Sequence, residues 1–257
     1  MTTITIGQRK GGNGKSTSAL NLAAAFALRG KRVLLIDLDD QKNSTSAIET
    51  RVPASVSVED LLLKPGLSVL EAAVPTAWEG VSLIPASSSL SGAIRELDGE
   101  VGSHLALREK LSGIPEGPDG FDLCLIDTSP SLNILVVNAL CASRWLFVPL
   151  SSKYFSLQGL GQTLEAFGKV QRRLNEDLAL LGFAFVIHDG RSALAREVVE
   201  KARAEYPELV FKGTVGVNIR IEEAQVMRKS IFAYSPDDRG SMQYRTLADE
   251  MLARLGG

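Results

Sequence analysis

Residues 9–16 read RKGGNGKS and lie between a short apolar stretch, Thr3–Gly7, and a longer segment rich in alanine. Gly14, Lys15 and Ser16 fill the last three places of the pattern G-x-x-x-x-G-K-[ST], in which backbone N–H groups surround phosphate oxygens at the start of a helix. A chance glycine-rich turn would be the simpler explanation. A strand before the run and a helix after it favour phosphate binding instead. The stretch therefore predicts a phosphate loop that opens the first helix.

The residues of this loop have distinct expected roles. Gly11, Gly12 and Gly14 permit a close approach of backbone to phosphate that a side chain would block. Lys15 is expected to reach the β- and γ-phosphates, which also makes it a catalytic candidate, and the hydroxyl of Ser16 is expected to bind Mg²⁺. We therefore predict ATP and Mg²⁺ as cofactors. The nucleotide-binding residues predicted in this stretch are Gly11, Gly12, Asn13, Gly14, Lys15, Ser16 and Thr17.

Acidic residues close two apolar strands farther along the chain. RVLLIDLDDQ (32–41) places Asp37 at a strand end and Asp39 two residues on, and DLCLIDTSPS (122–131) ends a strand at Asp127. Ligands of open α/β sheets bind at the carboxyl ends of the strands, and an aspartate in the position of Asp127 holds Mg²⁺ in phosphate-transferring enzymes. Strand-terminal aspartate also occurs in plain turns. Two such strand ends together with a phosphate loop favour a functional site.

Short apolar strands alternate with amphipathic helices, which predicts an α/β fold with a mainly parallel twisted sheet and helices on both faces. Strands are predicted at Thr3–Gly7, Arg32–Asp37, Val81–Pro85, Leu123–Asp127, Trp145–Pro149, Leu181–Ile187 and near Thr214. Helices are predicted from the phosphate loop to about Arg29, with Gly30 placed to end the first, and at Leu132–Cys141, Leu157–Leu174, Ala193–Ala204 and Tyr244–Leu255. Gln41–Ser57 and Ser112–Gly120 have the composition of surface loops too short to divide the chain, so residues 1–257 are expected to form one domain.

Composition narrows the classes of function. The 257 residues are 45% hydrophobic and 23% charged, and no run approaches the roughly 18 apolar residues of a membrane span. The N-terminus lacks the features of a signal peptide, so we expect a cytoplasmic protein. Cys124 and Cys141 are too few for a disulfide framework and lie among apolar residues, which indicates buried free thiols. With a net charge of −2, any binding to nucleic acid needs a local basic patch.

The segment KGGNGKS (10–16) resembles the signature KGGxGK[ST] of the ParA/MinD group of deviant Walker A P-loop ATPases. Arg9 stands in place of the first glycine of the regular pattern, and a second lysine, Lys10, follows it. From spacing alone, Lys10 would be an ordinary exposed lysine. The resemblance implies that it reaches across the interface of an ATP-bound homodimer to the partner's nucleotide. Lys10 is therefore a candidate for both nucleotide binding and catalysis.

The two acidic segments also fit this resemblance. RVLLIDLDDQ is similar to the first switch segment of the group, usually DxDPQ, whose second aspartate positions the attacking water. That catalytic role is implied for Asp39, which we also include among the candidate metal ligands. Asp40 stands where the group usually has proline, and it adds a negative charge near the phosphate site. DTSPS (127–131) is similar to the second switch segment, commonly D-x-P-P-S, with Ser129 in place of the first proline.

The resemblance extends over nearly the whole chain. Four later segments are similar to those of chromosomal and small plasmid partition ATPases: PLSSKYFSLQGL (149–160), HDGRSALAREVVE (188–200), VNIRIEEA (217–224) and SPDDRGSMQYRTLADEML (235–252). The group typically has Pro-Arg just before Asn218, where this chain has Gly216–Val217. The resemblance implies a nucleotide contact for Asn218, in a base pocket that this departure alters.

Two arginines carry the expectation that the protein binds DNA. Arg191 and Arg220 match positions that contact double-stranded DNA in ATP-bound dimers of the group. The charge pattern alone, with glutamates interleaved among basic residues, favours an ordinary solvated face. The chain begins at the ATPase core, without the DNA-reading extension of some members, so we expect phosphate contacts without sequence preference.

The resemblance implies a nucleoid-associated ATPase switch that turns over slowly by itself. A ParB-like adaptor or another activating partner would stimulate hydrolysis and release the dimer from DNA. The resemblance does not distinguish between a chromosome, a plasmid and a protein assembly as the cargo.

Two other functions on the same fold are alternatives. A membrane-cycling regulator similar to MinD needs an amphipathic C-terminal helix with a basic face. The tail TLADEMLARLGG (246–257) carries Asp249 and Glu250 and no aromatic residue, so we expect it to pack on the core and expect no membrane partner. An enzyme of the nitrogenase-reductase kind needs exposed cysteine ligands for an iron–sulfur cluster. Cys124 lies in a predicted strand and Cys141 at the end of an apolar helix, which disfavours it.

Overall fold

A computed structural model of the chain describes residues 1–152 and 155–256. Residues 153 and 154, within the quoted segment 149–160, lie outside the described residues. The strands are β1 (Thr2–Ile6), β2 (Val33–Leu38), β3 (Val74–Pro75), β4 (Val81–Ile84), β5 (Leu123–Thr128), β6 (Trp145–Ser151) and β7 (Ala179–Ile187). The helices are α1 (Lys15–Ala27), α2 (Asn43–Ser46), α3 (Val58–Leu63), α4 (Val69–Ala72), α5 (Leu90–Asp98), α6 (Ala106–Ser112), α7 (Ile134–Ala142), α8 (Phe155–Arg173), α9 (Ala193–Glu205), α10 (Ile219–Val226), α11 (Ile231–Tyr234) and α12 (Arg239–Leu255).

The seven strands form one sheet in the order β3-β4-β2-β5-β1-β6-β7. Every neighbouring pair in it is parallel except β3 with β4. In register, Ile6 of β1 and Asp37 of β2 both lie opposite Asp127 of β5. The carboxyl ends of these three strands therefore meet at one edge, as the sequence predicted for a mainly parallel sheet.

Helices cover both faces of this sheet, because alternate residues of a buried strand point in opposite directions. Leu35 of β2 packs in one core with Leu20 of α1 and Leu247 of α12. Its neighbour Ile36 packs in a second core, with Leu135 of α7. The predicted two-sided arrangement is confirmed.

The C-terminal helix α12 packs on the core, as expected from its sequence. Leu247 and Met251 are fully buried. The guanidinium of Arg254 lies 3.8 Å from the ring centre of Phe211, and its Nη1 donates to the carbonyl oxygen of Leu181 at 3.0 Å. The apolar side of this helix is thus buried against the core of the same chain. In the described part of the chain, no helix combines the length and apolar character needed to cross a membrane.

The strand predicted near Thr214 is not formed. Residues 209–217 follow β7 irregularly: Phe183 exchanges backbone hydrogen bonds with Leu209 and Phe211, whereas Phe185 accepts one from Val215. The four-residue step from Phe211 to Val215 therefore lies beside the two-residue step from Phe183 to Phe185 on β7. The additional residues bulge outward and prevent a regular ladder of hydrogen bonds. The edge is paired through single bridges instead.

Several short elements were missed by the sequence analysis. The segment predicted as a loop at Gln41–Ser57 contains α2, and α3–α6, α10, α11 and β3 were not predicted. These seven helices are four to nine residues long, which is too short for a reliable 3.6-residue pattern. Helix α12 begins five residues before the predicted Tyr244, where the side chain of Asp238 accepts a hydrogen bond from Gly240 N–H.

Candidate nucleotide-binding site

The phosphate loop joins β1 to α1 as predicted. Gly12 and Gly14 have φ values of 71° and 74°, in the left-handed region that favours glycine. Gly14 is the residue before α1, and a Cβ there would lie 3.0 Å from Cγ2 of Val186 in β7. The loop therefore needs glycine at this position both for its backbone angle and for its close contact with β7.

An open cleft of about 690 Å³ lies above this loop. This volume is within the range of small-molecule sites in proteins. Its lining combines the phosphate loop and start of α1 with the segment after β2, the second switch segment and the end of α10. The lining residues are Gly11, Gly12, Gly14, Lys15, Ser16, Thr17, Leu20, Asp39, Gln41, Asn43, Ser46, Ala47, Pro130, Gln225, Val226 and Arg228.

Lys15 is buried at the base of the cleft. Burial lowers its pKa, against the opposing effects of the carboxylates of Asp127 and Asp39. The two acidic strand ends predicted from sequence therefore do act on the phosphate-loop lysine. A buried ammonium group of this kind is suited to bind an anionic phosphate, which replaces part of the lost hydration.

Asp127 is fully buried at the end of β5. Its Oδ2 accepts a hydrogen bond of 2.7 Å from Ser44 Oγ, while Oδ1 is buried with no hydrogen-bond partner among the described residues. Burial raises the pKa of Asp127 to about 7, and the charge of Asp37 adds to this effect. The hydroxyl of Ser16 has the opposite effect and lowers the pKa of this carboxyl group. An unpartnered carboxylate oxygen beside a hydroxyl fits the oxygen donors that Mg²⁺ prefers.

Asp37 organises the segment that follows β2. Its Oδ1 accepts the backbone N–H of Asp39 at 3.0 Å, and its Oδ2 accepts both the N–H (2.8 Å) and the hydroxyl (2.7 Å) of Thr45. Burial raises the pKa of Asp37 to about 6. Asp39, by contrast, lines the cleft, and its Oδ1 accepts the N–H of Gln41 at 3.1 Å. The structure thus separates a carboxylate that holds the segment from one that faces the ligand space.

Lys10 lies outside the cleft that Lys15 lines. A Cβ placed on Gly159 of α8 would lie 3.1 Å from the Cβ of Lys10, so the start of the loop packs against this helix. The backbone N–H of Arg9 donates to the hydroxyl of Thr163, also on α8, at 3.1 Å. Among the other predicted loop residues, Asn13 is buried. The residues before the glycines are therefore fixed to α8 rather than folded over the cleft.

Asn218 caps α10 rather than lining the cleft. Its Oδ1 accepts the N–H of Arg220 at 2.9 Å, and its Nδ2 donates to Asp238 at 2.5 Å. Its nucleotide contact stays a prediction. The part of this region that does line the cleft is the far end of α10, Gln225 and Val226, followed by Arg228. The sequence analysis missed these three residues because no motif marks them; the capping asparagine was the available signal for the helix that places them.

Arg191 and Arg220 lie on adjoining segments beyond the end of β7. The N–H of His188 donates to the carbonyl of Val215, and that of Val217 to the carbonyl of His188. The loop that carries Arg191 therefore lies beside the segment that leads to Arg220. Each arginine pairs with an acidic neighbour. Arg191 Nε is 3.0 Å from Asp189, and Arg220 Nη1 is 2.8 Å from Glu223.

Both cysteines are buried free thiols, as predicted. Burial raises the pKa of Cys141 to about 11 and also raises that of Cys124. Neither thiol is presented at the surface as a ligand for an iron–sulfur cluster shared between subunits.

A family model for an AAA domain matches residues 1–180. The chain is 40% identical over 252 residues to the chromosome-partitioning ATPase Soj of Thermus thermophilus, covering 98% of this chain and 96% of that protein. It is 35% identical over 251 residues to the sporulation initiation inhibitor protein Soj of Bacillus subtilis, covering 97% and 98%. Among solved structures, cobyrinic acid a,c-diamide synthase from Mycobacterium smegmatis with bound ADP and magnesium is similar with a TM-score of 0.84, at 30% identity, covering 100% of this chain and 96% of the other.

Proposed function

The chain belongs to the ParA/Soj-type partition ATPases, and we propose that it is a nucleotide switch whose ATP-bound dimer holds DNA without sequence preference. Its cofactors are ATP and Mg²⁺, and its reaction is hydrolysis of ATP. The observation that carries the proposal is the position of Lys10 outside the cleft lined by Lys15. Within one chain, Lys15 acts on the bound nucleotide, whereas Lys10 lies against α8 and would act on the nucleotide of a second copy.

Within the proposal, Lys15 holds the β- and γ-phosphates through charge. Ser16 and Asp127 hold Mg²⁺, with Asp39 as a further candidate ligand. When bound, Mg²⁺ neutralises charge that develops on the phosphate oxygens. The burial of Lys15 and of the unpartnered oxygen of Asp127 supports these roles, because both groups gain a partner when the nucleotide and its metal bind.

Asp39 orients the attacking water by accepting a hydrogen bond from it. Its carboxylate already accepts the N–H of Gln41, and burial raises its pKa. The hydrogen bond from Gln41 occupies part of the acceptor capacity of this carboxylate, which favours slow turnover in the isolated protein. A ParB-like adaptor or another activating partner then stimulates hydrolysis by completing the arrangement around the γ-phosphate.

The proposed DNA-binding surface contains Arg191 and Arg220. Their ion pairs with Asp189 and Glu223 are solvent-exposed, and exposed pairs of this kind contribute little free energy. Exchange of either carboxylate for a DNA phosphate therefore costs little free energy. Doubling of this surface in a dimer would couple ATP binding to DNA binding, and hydrolysis to release. Such a cycle positions a chromosome, a plasmid or a protein assembly over the nucleoid.

A membrane-cycling function similar to that of MinD is less favoured, because Leu247 and Met251 of the C-terminal helix are buried in the core. Direct comparison on DNA and on anionic liposomes tests the choice. With ATP and Mg²⁺ at low salt, the protein should bind short duplexes of unrelated sequence equally and should not sediment with liposomes. Lys15→Ala should abolish ATP binding and DNA binding while keeping the fold. Binding of the wild type to liposomes but not to DNA would overturn the proposal.

A further inference from the structure

Trp78 makes a long-range hydrogen bond to a wall of the nucleotide cleft. It lies in the turn between β3 and β4, and its indole Nε1–H donates to the carbonyl oxygen of Arg228 at 3.0 Å. The two residues are 150 positions apart in the sequence. Arg228 lines the cleft. The hydrogen bond is solvent-exposed, and Trp78 is half-buried against the core that contains α1, so the contact links the β3–β4 turn to the end of α10.

The backbone at Arg228 has a left-handed conformation. Its φ is 54°, in the left-handed region that non-glycine residues seldom adopt. Among the described residues, the other non-glycine residue with a positive φ is Lys42, between the cleft-lining residues Gln41 and Asn43 of the opposite wall. Arg228 adopts this conformation directly after α10, at a position where helices commonly end with a left-handed residue. Both walls of this cleft therefore include a non-glycine residue with a positive φ.

The end of α10 forms hydrogen bonds with two distant parts of the chain. On one side, Gln225 Nε2 donates to Thr17 Oγ1 at 3.1 Å, which ties it to the first turn of α1. The helix ends with hydrogen bonds of its own, from Arg228 N–H to the carbonyl of Gln225 and from Lys229 N–H to that of Ala224. The carbonyl of Arg228 is left for the indole of Trp78. Removal of the indole N–H would remove the hydrogen bond that joins this carbonyl to the turn between β3 and β4.

The turn that carries Trp78 is itself well fixed. The buried Thr76 accepts the N–H of Trp78 at 3.1 Å, and the carbonyl of Trp78 accepts the N–H of Val81 at 3.0 Å. Gly80 has φ of 78°, and a Cβ there would lie 3.1 Å from Cβ of Ala27 in α1. The turn is thus packed against the helix that begins at the phosphate loop.

The same turn also holds the opposite wall. Ala77 N–H donates to the carbonyl of Glu49 at 2.7 Å, and Arg51 N–H donates to the carbonyl of Pro75 at 2.9 Å. Residues 49–51 follow closely on Ser46 and Ala47, which line the cleft. One turn at the edge of the sheet therefore connects two walls that meet at the ligand space from opposite sides.

We propose that Trp78 is a positioning residue for the nucleotide, which sets the distance between the Ser46–Ala47 wall and the Arg228 wall. It touches no reacting atom and acts through the backbone of Arg228. The inference rests on nucleotide binding in this cleft, and it extends the site to a residue outside the phosphate loop and the switch segments.

The test compares Trp78→Phe with Trp145→Phe, since the chain has two tryptophans. Phenylalanine keeps most of the apolar contact and removes the N–H donor. Trp145 begins β6, which lies on the far side of β1 from β4, and the guanidinium of Arg144 is 5.6 Å from its ring centre. Loss of one neutral hydrogen bond should weaken binding of mant-ADP roughly two- to tenfold in Trp78→Phe. Trp145→Phe should bind as the wild type does.

Steady-state hydrolysis provides a readout that a general structural defect would not reproduce. In Trp78→Phe the KM for ATP should rise by the same factor, with kcat at saturating ATP unchanged. Equal KM values for the two variants, or a fall in kcat alone, would overturn the inference. Because Trp78 is the remaining tryptophan of Trp145→Phe, its emission should also change when ADP binds to that variant. No change there would contradict the inference even if Trp78→Phe failed to fold. The titration does not involve DNA, so a failure of the proposed DNA switch would be detected separately.

Discussion

Ser44 Oγ donates a hydrogen bond of 2.7 Å to Oδ2 of Asp127, across 83 residues of sequence. The contact joins α2, in the segment that follows β2, to the strand end where a metal ligand was predicted. It satisfies one oxygen of a fully buried carboxylate and leaves the other buried without a partner in the described part of the chain. The position of α2 is therefore linked to the ionised state of Asp127.

Ser44→Ala should destabilise the nucleotide-free protein. Loss of one partner from a buried charged group costs about 1–3 kcal/mol of unfolding free energy. Urea unfolding at pH 8, above the pKa of about 7 for Asp127, measures the loss with the carboxylate ionised. Ser46→Ala, in the same helix with an exposed side chain, is the matched control and should change stability by less than about 0.5 kcal/mol. Equal effects of the two substitutions would show that the hydrogen bond to Asp127 is not responsible.

Lys10→Ala should separate nucleotide binding from dimerisation. Because Lys10 lies outside the cleft of its own chain, weak binding of ATP should persist while the ATP-dependent dimer is lost. Sedimentation with a non-hydrolysable ATP analogue measures this. Arg9→Ala removes a positive charge one residue away and should still dimerise. A Lys10→Ala dimer of unchanged affinity would contradict a contact with the partner's nucleotide.

Asp39→Ala should bind ATP and dimerise but hydrolyse ATP at least tenfold more slowly, because general-base groups typically contribute 10²–10⁴ to the rate. The variant should accumulate as the DNA-bound ATP form. The exposed neighbour Asp40 provides the control, and Asp40→Ala should retain most of the activity. Partner-stimulated phosphate release is the measurement. Wild-type turnover in Asp39→Ala would transfer the role to another group, with Asp40 examined first.

Much of this site could be predicted because its determinants are local in sequence. The phosphate loop needs glycine angles and one lysine within a few residues, and parallel strands bring Asp127 close to Asp37 by register alone. The contacts that were missed are long-range. Gln225 reaches Thr17 only because α10 packs beside α1.

The same distinction explains the errors in the fold. Spacing predicts a strand near Thr214 from a short apolar run, but the unequal lengths of the two backbones along β7 are a tertiary property. The nucleotide contact of Asn218 stays a prediction, and the local chemistry of a helix N-terminus adds a capping role that was not predicted. Motifs place residues near a site. Backbone pairing and packing decide which of them face the ligand.

The salt dependence of DNA binding tests the role of Arg191 and Arg220. With ATP, affinity should fall steeply with salt, because each neutralised phosphate contributes a log–log slope of about −0.9. Arg191 and Arg220, each present twice in a dimer, should give a total slope on the order of −4 if they dominate. Arg220→Ala should flatten the slope by about two units and leave ATP binding and dimerisation unchanged. Arg173→Ala, an exposed charge at the end of α8, is the control. Since the chain has a net charge of −2, general attraction cannot replace a lost local contact. Equal slopes for Arg220→Ala and the wild type would therefore exclude this surface as the DNA contact.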